Sequence, residues 1–167
     1  MWPEPELTYA NPALAEVVIA AGDLLGDEPL LTDGLRMLGW LCRTQEHDGH
    51  LSTVPVGGWR PGVPKHRHDQ QPIEAAATAD ACATAAAATG DERWDAPLFS
   101  AIAWFLGDND TGTVMYDPHT GGGYDGLKPD GPNLNQGAES TLALVSTLQH
   151  ARALAIRSAT LPSGGLA

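Results

Sequence analysis

Gln71-Pro72-Ile73-Glu74-Ala75-Ala76-Ala77-Thr78-Ala79-Asp80-Ala81-Cys82-Ala83-Thr84-Ala85-Ala86-Ala87-Ala88-Thr89-Gly90 is the stretch on which the reading of the fold turns. Alanine is the strongest helix former, Pro72 suits a first helical position and Gly90 supplies a stop, so residues 72–89 are predicted to be helix. Its small side chains let neighbouring helices approach from both sides. Four other stretches carry helical periodicity. Residues 12–25 place Leu14, Val17, Val18, Ala21 and Leu25 on one face, and residues 29–45 place Leu31, Leu35, Leu38 and Cys42 there, widened by Trp40 and Leu41. Residues 97–106 use Leu98, Phe99, Ile102, Phe105 and Leu106; residues 136 to about 156 use Leu142, Val145, Leu148 and Ala155. No segment alternates as a strand, so the expected class is all-α.

Two short connections alternate with two long ones, 46–71 and 107–135, both rich in Gly, Pro, Asp and His. Each long loop leads into a related helix start, Gln71-Pro72-Ile73-Glu74 and Gln136-Gly137-Ala138-Glu139, 65 residues apart. The preceding helices echo each other as Trp40-Leu41 and Trp104-Phe105, 64 residues apart, and Asn11-Pro12-Ala13-Leu14 is a weaker third copy after residues 1–10. Such a period is the mark of stacked helical hairpins, none of which buries its apolar face alone. In a ring of hairpins the alanine-rich helix suits the inner row and the helices of Trp40 and Trp104 the outer one. All long loops then gather at one mouth, where sites are commonly built.

With 167 residues, 43% hydrophobic and 18% charged, the chain has the balance of one soluble domain with a core. Residues 1–157 are expected to form a single partial domain and 158–167 a flexible tail. Nine basic against 21 acidic residues leave a net charge of −12, which repels nucleic acid and anionic bilayers. No apolar run is long enough for a membrane span and Met1-Trp2-Pro3-Glu4 lacks the pattern of a signal peptide, so a cytoplasmic location is expected. Cys42 and Cys82 lie inside helical patterns and read as small core residues, with no disulfide framework or zinc spacing.

The run Asp117-Pro118-His119-Thr120-Gly121-Gly122-Gly123-Tyr124-Asp125-Gly126-Leu127, followed by Asn133-Leu134-Asn135-Gln136-Gly137-Ala138-Glu139-Ser140-Thr141, resembles the C-terminal α/α-toroid region of bacterial proteins named as glycosyltransferases or mannosyltransferases. Trp2-Pro3-Glu4, Leu7-Thr8-Tyr9 and Gln70-Gln71-Pro72-Ile73-Glu74 fit the same pattern. That region is similar in architecture to the six-hairpin toroids of glycoside hydrolases and sugar epimerases. The resemblance implies a partial α/α toroid of about five helices, and a carbohydrate ligand. Five helices are fewer than half of a twelve-helix ring, which leaves a fragment, a short paralogue, a homodimer or association with a missing toroid half, or an open array. No alternating strand and helix pattern is present to hold a nucleotide-sugar donor, so transferase activity would belong to another part of a longer protein.

Glu74 and Glu139 are the first candidates for chemistry, each in the first turn of an expected inner helix. Glycosidic cleavage needs paired carboxyl groups, one to protonate the leaving oxygen and one to activate water or attack carbon. The structural alternative is that both sit at the third helical position and reach back to cap Gln71 and Gln136, in a dipole field that lowers their pKa. Asp125 is the third candidate, in a Gly-rich stretch where backbone can approach a ligand and Tyr124 can stack on a sugar. Trp2 and Trp59 are further platforms, and Gln71, Gln136, His68 and Asp69 are candidate binding residues.

His47, His50, His66 and His68 with Asp69 offer suitable ligands but no completed metal spacing, so neither metal nor cofactor is expected. Arg60, Lys65 and Arg67 form a local basic cluster that either pairs with nearby acids or binds a phosphate, and Asp80 reads as a hydrogen-bonded core residue. The function read from the chain is carbohydrate processing or binding, glycoside hydrolase-like if catalytic. The competing reading is a non-catalytic accessory domain of a glycosyltransferase-type protein.

Overall fold

The computed structural model describes residues 2–160. Among these are five α-helices: α1 (Asn11–Leu25), α2 (Glu28–Gln45), α3 (Pro72–Thr89), α4 (Asp95–Phe105) and α5 (Ala138–Thr160), with a 3-10 turn at Glu92–Trp94 before α4. The protein is mainly α. Two short antiparallel hairpins not read from the sequence lie inside the long loops: β1 (Glu46–His47) with β2 (His50–Leu51), and β3 (Gly126–Lys128) with β4 (Gly131–Asn133). Strands of two or three residues are too short to show alternation. The expected tail begins inside α5, because residues 158–160 are helical; the remainder, 161–167, lies outside the described residues.

Helix ends follow local chemistry. Asp27 caps α2, its Oδ1 accepting the Leu30 N–H at 3.0 Å. Gly26 and Gly90 close α1 and α3 in the left-handed region, with φ of 64° and 65°, where a Cβ would be strained. Helix α3 is buried nearly all round and packs against α1, α4 and α5, with a lighter contact to α2. Short side chains make this possible, since almost every inward position is Ala, Thr or Cys.

The faces expected for α1 and α5 are not the ones buried. Asn11, Ala15, Ile19 and Gly22 of α1 face inward, whereas Leu14, Val17 and Leu25 are exposed, Leu25 at 72%. Helix α5 buries Ser140, Ala143, Leu144 and Thr147, and leaves Leu142 68% exposed with Val145 and Leu148 beside it. Close backbone approach decides the first case. A Cβ on Gly22 would overlap the Leu31 backbone, and one on Gly34 of α2 would lie 2.8 Å from Ile19. The small-residue face wins because it allows α1 and α2 to touch, and the bulkier stripe is left outside. In α2 and α4 the expected faces are buried or half-buried, but Phe99 of α4 and Leu106, just past its end, are exposed.

The long loops and the N-terminal segment are joined into one layer by backbone hydrogen bonds. Leu7 and Trp59 exchange N–H···O bonds of 2.8 Å in both directions. Gln70 and Leu127 do the same at 3.0 and 2.8 Å, linking the first long loop to the second. Leu7, Val54, Met115 and Leu127 seal this layer onto the helices. Among the described residues no helix is long and apolar enough to cross a membrane.

Candidate functional site

Glu74 and Glu139 are both gripped by the N-terminal segment. Glu74, in the first turn of α3, is 2% exposed, and its Oε2 accepts a hydrogen bond from Asn11 Nδ2 at 3.2 Å. Its other oxygen is buried with no hydrogen-bond partner. Burial pushes its pKa up to about 7, against the opposing pull of Asn11 and the backbone N–H groups of Ala10 and Asn11. The expectation of a lowered pKa at this helix start is therefore overturned: desolvation outweighs the hydrogen bonds that favour the charged form. Glu74 does not reach back to Gln71 either, and α3 has no side-chain cap; its carboxyl serves the start of α1 instead.

Glu139, in the first turn of α5, is exposed and accepts a 2.6 Å hydrogen bond from the Tyr9 hydroxyl. Tyr9 is pushed up to about 12 by that bond first, then by burial and by the charges of Glu139 and Glu74. Tyr9 thus lies within the field of both glutamates, and residues 9–11 connect the two helix starts. Glu139 is also bonded to another element rather than to its own helix cap.

Asp125 has a different job. Its Oδ1 accepts the Gly137 N–H at 2.7 Å and the Ser140 hydroxyl at 2.7 Å, and its Oδ2 accepts Asn135 Nδ2. Burial opposes the charge, but those three donors together hold its pKa below the ordinary carboxyl value. The carboxylate is the N-terminal cap of α5, supplied from the preceding loop. Gln136, expected as the cap, instead accepts a 2.6 Å bond from Thr120 Oγ1 and donates to Asp117 at 3.2 Å, tying residues 117–122 to the helix start. Tyr124 packs half-buried on the core.

The remaining candidates are spread out. Trp2 is buried and stacks on Trp40 with ring centres 5.9 Å apart. The two line a cleft of about 450 Å³ with Glu4, Pro5, Arg60 and Pro61. Trp59 donates from Nε1 to the Val63 carbonyl at 2.8 Å and packs on the core, so its ring braces the loop. His68 is half-buried with Nδ1 unpartnered, and Asp69 is exposed with its carbonyl accepting Val56 N–H at 2.8 Å. Gln71 is half-buried at the α3 N-cap.

Of the Gln70-Gln71 pair, Gln71 is the expected binding residue, but Gln70 is the wholly buried one. Its side chain accepts from Trp104 Nε1 at 2.8 Å and donates to the Arg67 carbonyl at 2.7 Å and to Asp110. Asp110 also faces His50 Nε2 at 3.3 Å and Arg67 at 3.9 Å. Burial acts against ionisation of Asp110, but bonds from Ser52, Gln70 and His50 hold its pKa down. Lys65 donates to the carbonyls of Ser52 at 2.5 Å and Thr44 at 3.3 Å, and burial pushes it down to about 8. Arg60 meets Glu6 at 3.7 Å, so much of the basic cluster is matched by nearby acids. The one sequence signal for this network was the doublet itself, a polar pair directly before Pro72.

No protein-family model matches the chain, and no curated protein is similar enough to it to count as a match. Any reading of the site therefore rests on its geometry. Among the described residues no three His, Cys, Asp or Glu side chains are grouped to hold a metal ion. Asp80, expected as a hydrogen-bonded core residue, meets His150 Nε2 at 2.7 Å and Ser146 Oγ at 3.3 Å, but it lies at the edge of the core with its side chain 37% exposed.

Proposed function

We propose that the loop-bearing end of this helical array binds and processes carbohydrate, with Glu74 and Glu139 as its pair of carboxyl groups. The observation that carries the reading is the burial of Glu74, which pushes the pKa of its carboxyl up to about 7, in a field shared with Glu139 through Tyr9. A group that holds a proton at pH 7 suits protonation of a glycosidic oxygen, and an exposed carboxyl on the neighbouring helix suits activation of water or attack on carbon. Asn11 donates to Glu74, so on this reading a sugar competes with that side chain for the carboxyl. Asp125 then acts as a positioning residue that fixes the turn of α5 carrying Glu139.

The α/α-toroid architecture belongs to the same proposal. Helix α3 packs between α1 and α5, with α4 and α2 attached to the row, as a run of inner and outer helices requires. The apolar stripes left outside on α1 and α5 are surfaces that further hairpins, or a second copy, would cover.

A second reading, a non-catalytic accessory domain that binds glycan, is favoured by the engagement of Glu74 with Asn11 and of Asp125 with α5. One experiment separates the two. Glycosides are screened for hydrolysis and for binding with wild-type protein and with Glu139→Gln. Loss of turnover with retained binding supports the enzyme; binding without turnover in both proteins supports the accessory domain. Absence of binding and turnover across α- and β-linked hexosides overturns both.

A further inference from the structure

The two cysteines, 40 residues apart in sequence, are brought together where α2 meets α3, with Cys42 Sγ 3.9 Å from Cys82 Sγ. Both are free thiols. A disulfide needs its sulfurs at about 2.05 Å, so the two sulfurs must close by roughly 2 Å to form a covalent link. Their surroundings differ. Cys82 is wholly buried among the alanines of α3, whereas Cys42 is half-buried and lines both a cleft of about 720 Å³ between α2 and α4 and an adjoining one of about 290 Å³.

The larger cleft is basic in an acidic protein. Arg36, Arg43 and Arg93 line it beside Trp40 and Trp94, three of the nine basic residues of a chain with net charge −12. Asp33 pairs with Arg36 at 3.4 Å and Asp91 with Arg93 at 3.1 Å, while Arg43, adjacent to Cys42, has no ion-pair partner among the described residues. An anion entering this cleft meets an uncommitted guanidinium next to a thiol.

We infer that Cys42 is a thiol-exchange site for small anionic disulfides that enter by the α2–α4 cleft, and that Cys82 is its resolving thiol. In the first step Cys42 thiolate attacks one sulfur of the incoming disulfide, forming a mixed disulfide and releasing one thiolate, which takes a proton from water. In the second, Cys82 loses its proton to solvent and attacks the Cys42 sulfur, releasing the second small thiol. Two protein thiols and one small disulfide become one intrachain disulfide and two small thiols, so the protein is oxidised by the reagent it consumes.

The local electrostatics favour this order. The hydrogen bond from Cys82 and the charge of Arg43 outweigh burial and hold the Cys42 pKa below its ordinary value. Cys82 is pushed well up by donating that bond, by burial and by the charge of Cys42. Once Cys42 carries the mixed disulfide it is neutral, and two of the three causes that keep Cys82 protonated are gone.

The test uses the folded full chain at low salt, with oxidised glutathione as the anionic probe and cystamine as the cationic one. Each rate is divided by that of a free small thiol with the same reagent. Intact mass and free-thiol counts are read after acid quenching. Wild-type protein is expected to lose both thiols and the mass of two hydrogens, with a normalised rate about tenfold higher for oxidised glutathione. Cys82→Ser, or Cys82→Ala if the serine variant does not fold, is expected to stop at the mixed disulfide. Arg43→Gln is expected to lose most of the charge preference. Thiols that react only in denaturant, a wild-type product that stays a mixed disulfide, or equal normalised rates for the two probes would each overturn the inference.

Discussion

The indole N–H of Trp104 in α4 donates a 2.8 Å hydrogen bond to the side-chain oxygen of Gln70, and neither residue is exposed to solvent. Through it the loop layer is anchored to the helices at one buried amide, which also faces Asp110 and the Arg67 carbonyl. Replacing Gln70 by Ala strands the indole N–H, removes the donor to the Arg67 carbonyl and takes one donor from the Asp110 carboxylate. The expected loss is about 3 kcal/mol or more, read as a lower urea midpoint. A midpoint within error of wild type would mean that water replaces the amide freely.

Glu74 makes stability fall as pH rises. Its folded pKa of about 7 lies above its ordinary value of 4.5, so the folded state holds the proton more tightly than the unfolded chain. That contribution is fully present below about pH 4.5 and is lost as pH climbs through about 7, a change of about 3 kcal/mol. Glu74→Gln cannot ionise, so its stability relative to wild type should rise by that amount over the same window. Urea unfolding at several pH values measures the difference, and a constant difference between the proteins would refute it.

Tyr9 should resist ionisation. With its pKa near 12, its tyrosinate absorbance appears well above that of an ordinary phenol. Because the Glu139 hydrogen bond is the largest cause, Glu139→Gln should bring the transition back toward the usual range near 10. The Tyr9→Phe difference spectrum assigns the signal, and an unchanged titration in Glu139→Gln would remove the link between residue 9 and α5.

Asp125→Ala should loosen the first turn of α5. The variant loses an acceptor for the Gly137 N–H and the Ser140 hydroxyl, at a cost of about 1–2 kcal/mol typical of a lost helix cap. Amide exchange should accelerate at residues 137–141 and far less in α3. Uniform acceleration along all helices would indicate a global effect instead.

Gly22→Ala should force α1 from α2. The new methyl overlaps the backbone of Leu31, which a side-chain rotation cannot relieve. A destabilisation of about 1–3 kcal/mol is expected by thermal or chemical unfolding. Gly26→Ala probes the backbone rather than space, since φ there is 64° and no atom lies within 4 Å of the added carbon.

The helices were legible because periodicity, proline starts and glycine stops are local signals; residues 72–89 were read with both ends where they fall. Which face of α1 and α5 turns inward was not. Leu14 and Leu142 announce burial by hydropathy, but the closest approach is set by Gly22 and by the small residues of α3, a property of helix pairs rather than of one segment. At the site, Glu74 and Glu139 stood out by their place in the repeat. Their partners Asn11 and Tyr9 did not, because contacts spanning 63 and 130 residues leave no trace in local pattern. Gln70 and Asp110 were hidden for the same reason.

The grip of the N-terminal segment also sets an order of assembly. Leu7 and Tyr9 leave the ribosome before the residues they pair with, so Leu7 must wait for Trp59, and Tyr9 for Glu139, 130 residues later. During synthesis this segment has no native place to go, and the wholly buried Leu7 stays in water. Residues 7–9 are thus made before their partners and settle after them, and Tyr9 latches onto α5 only when that helix has formed.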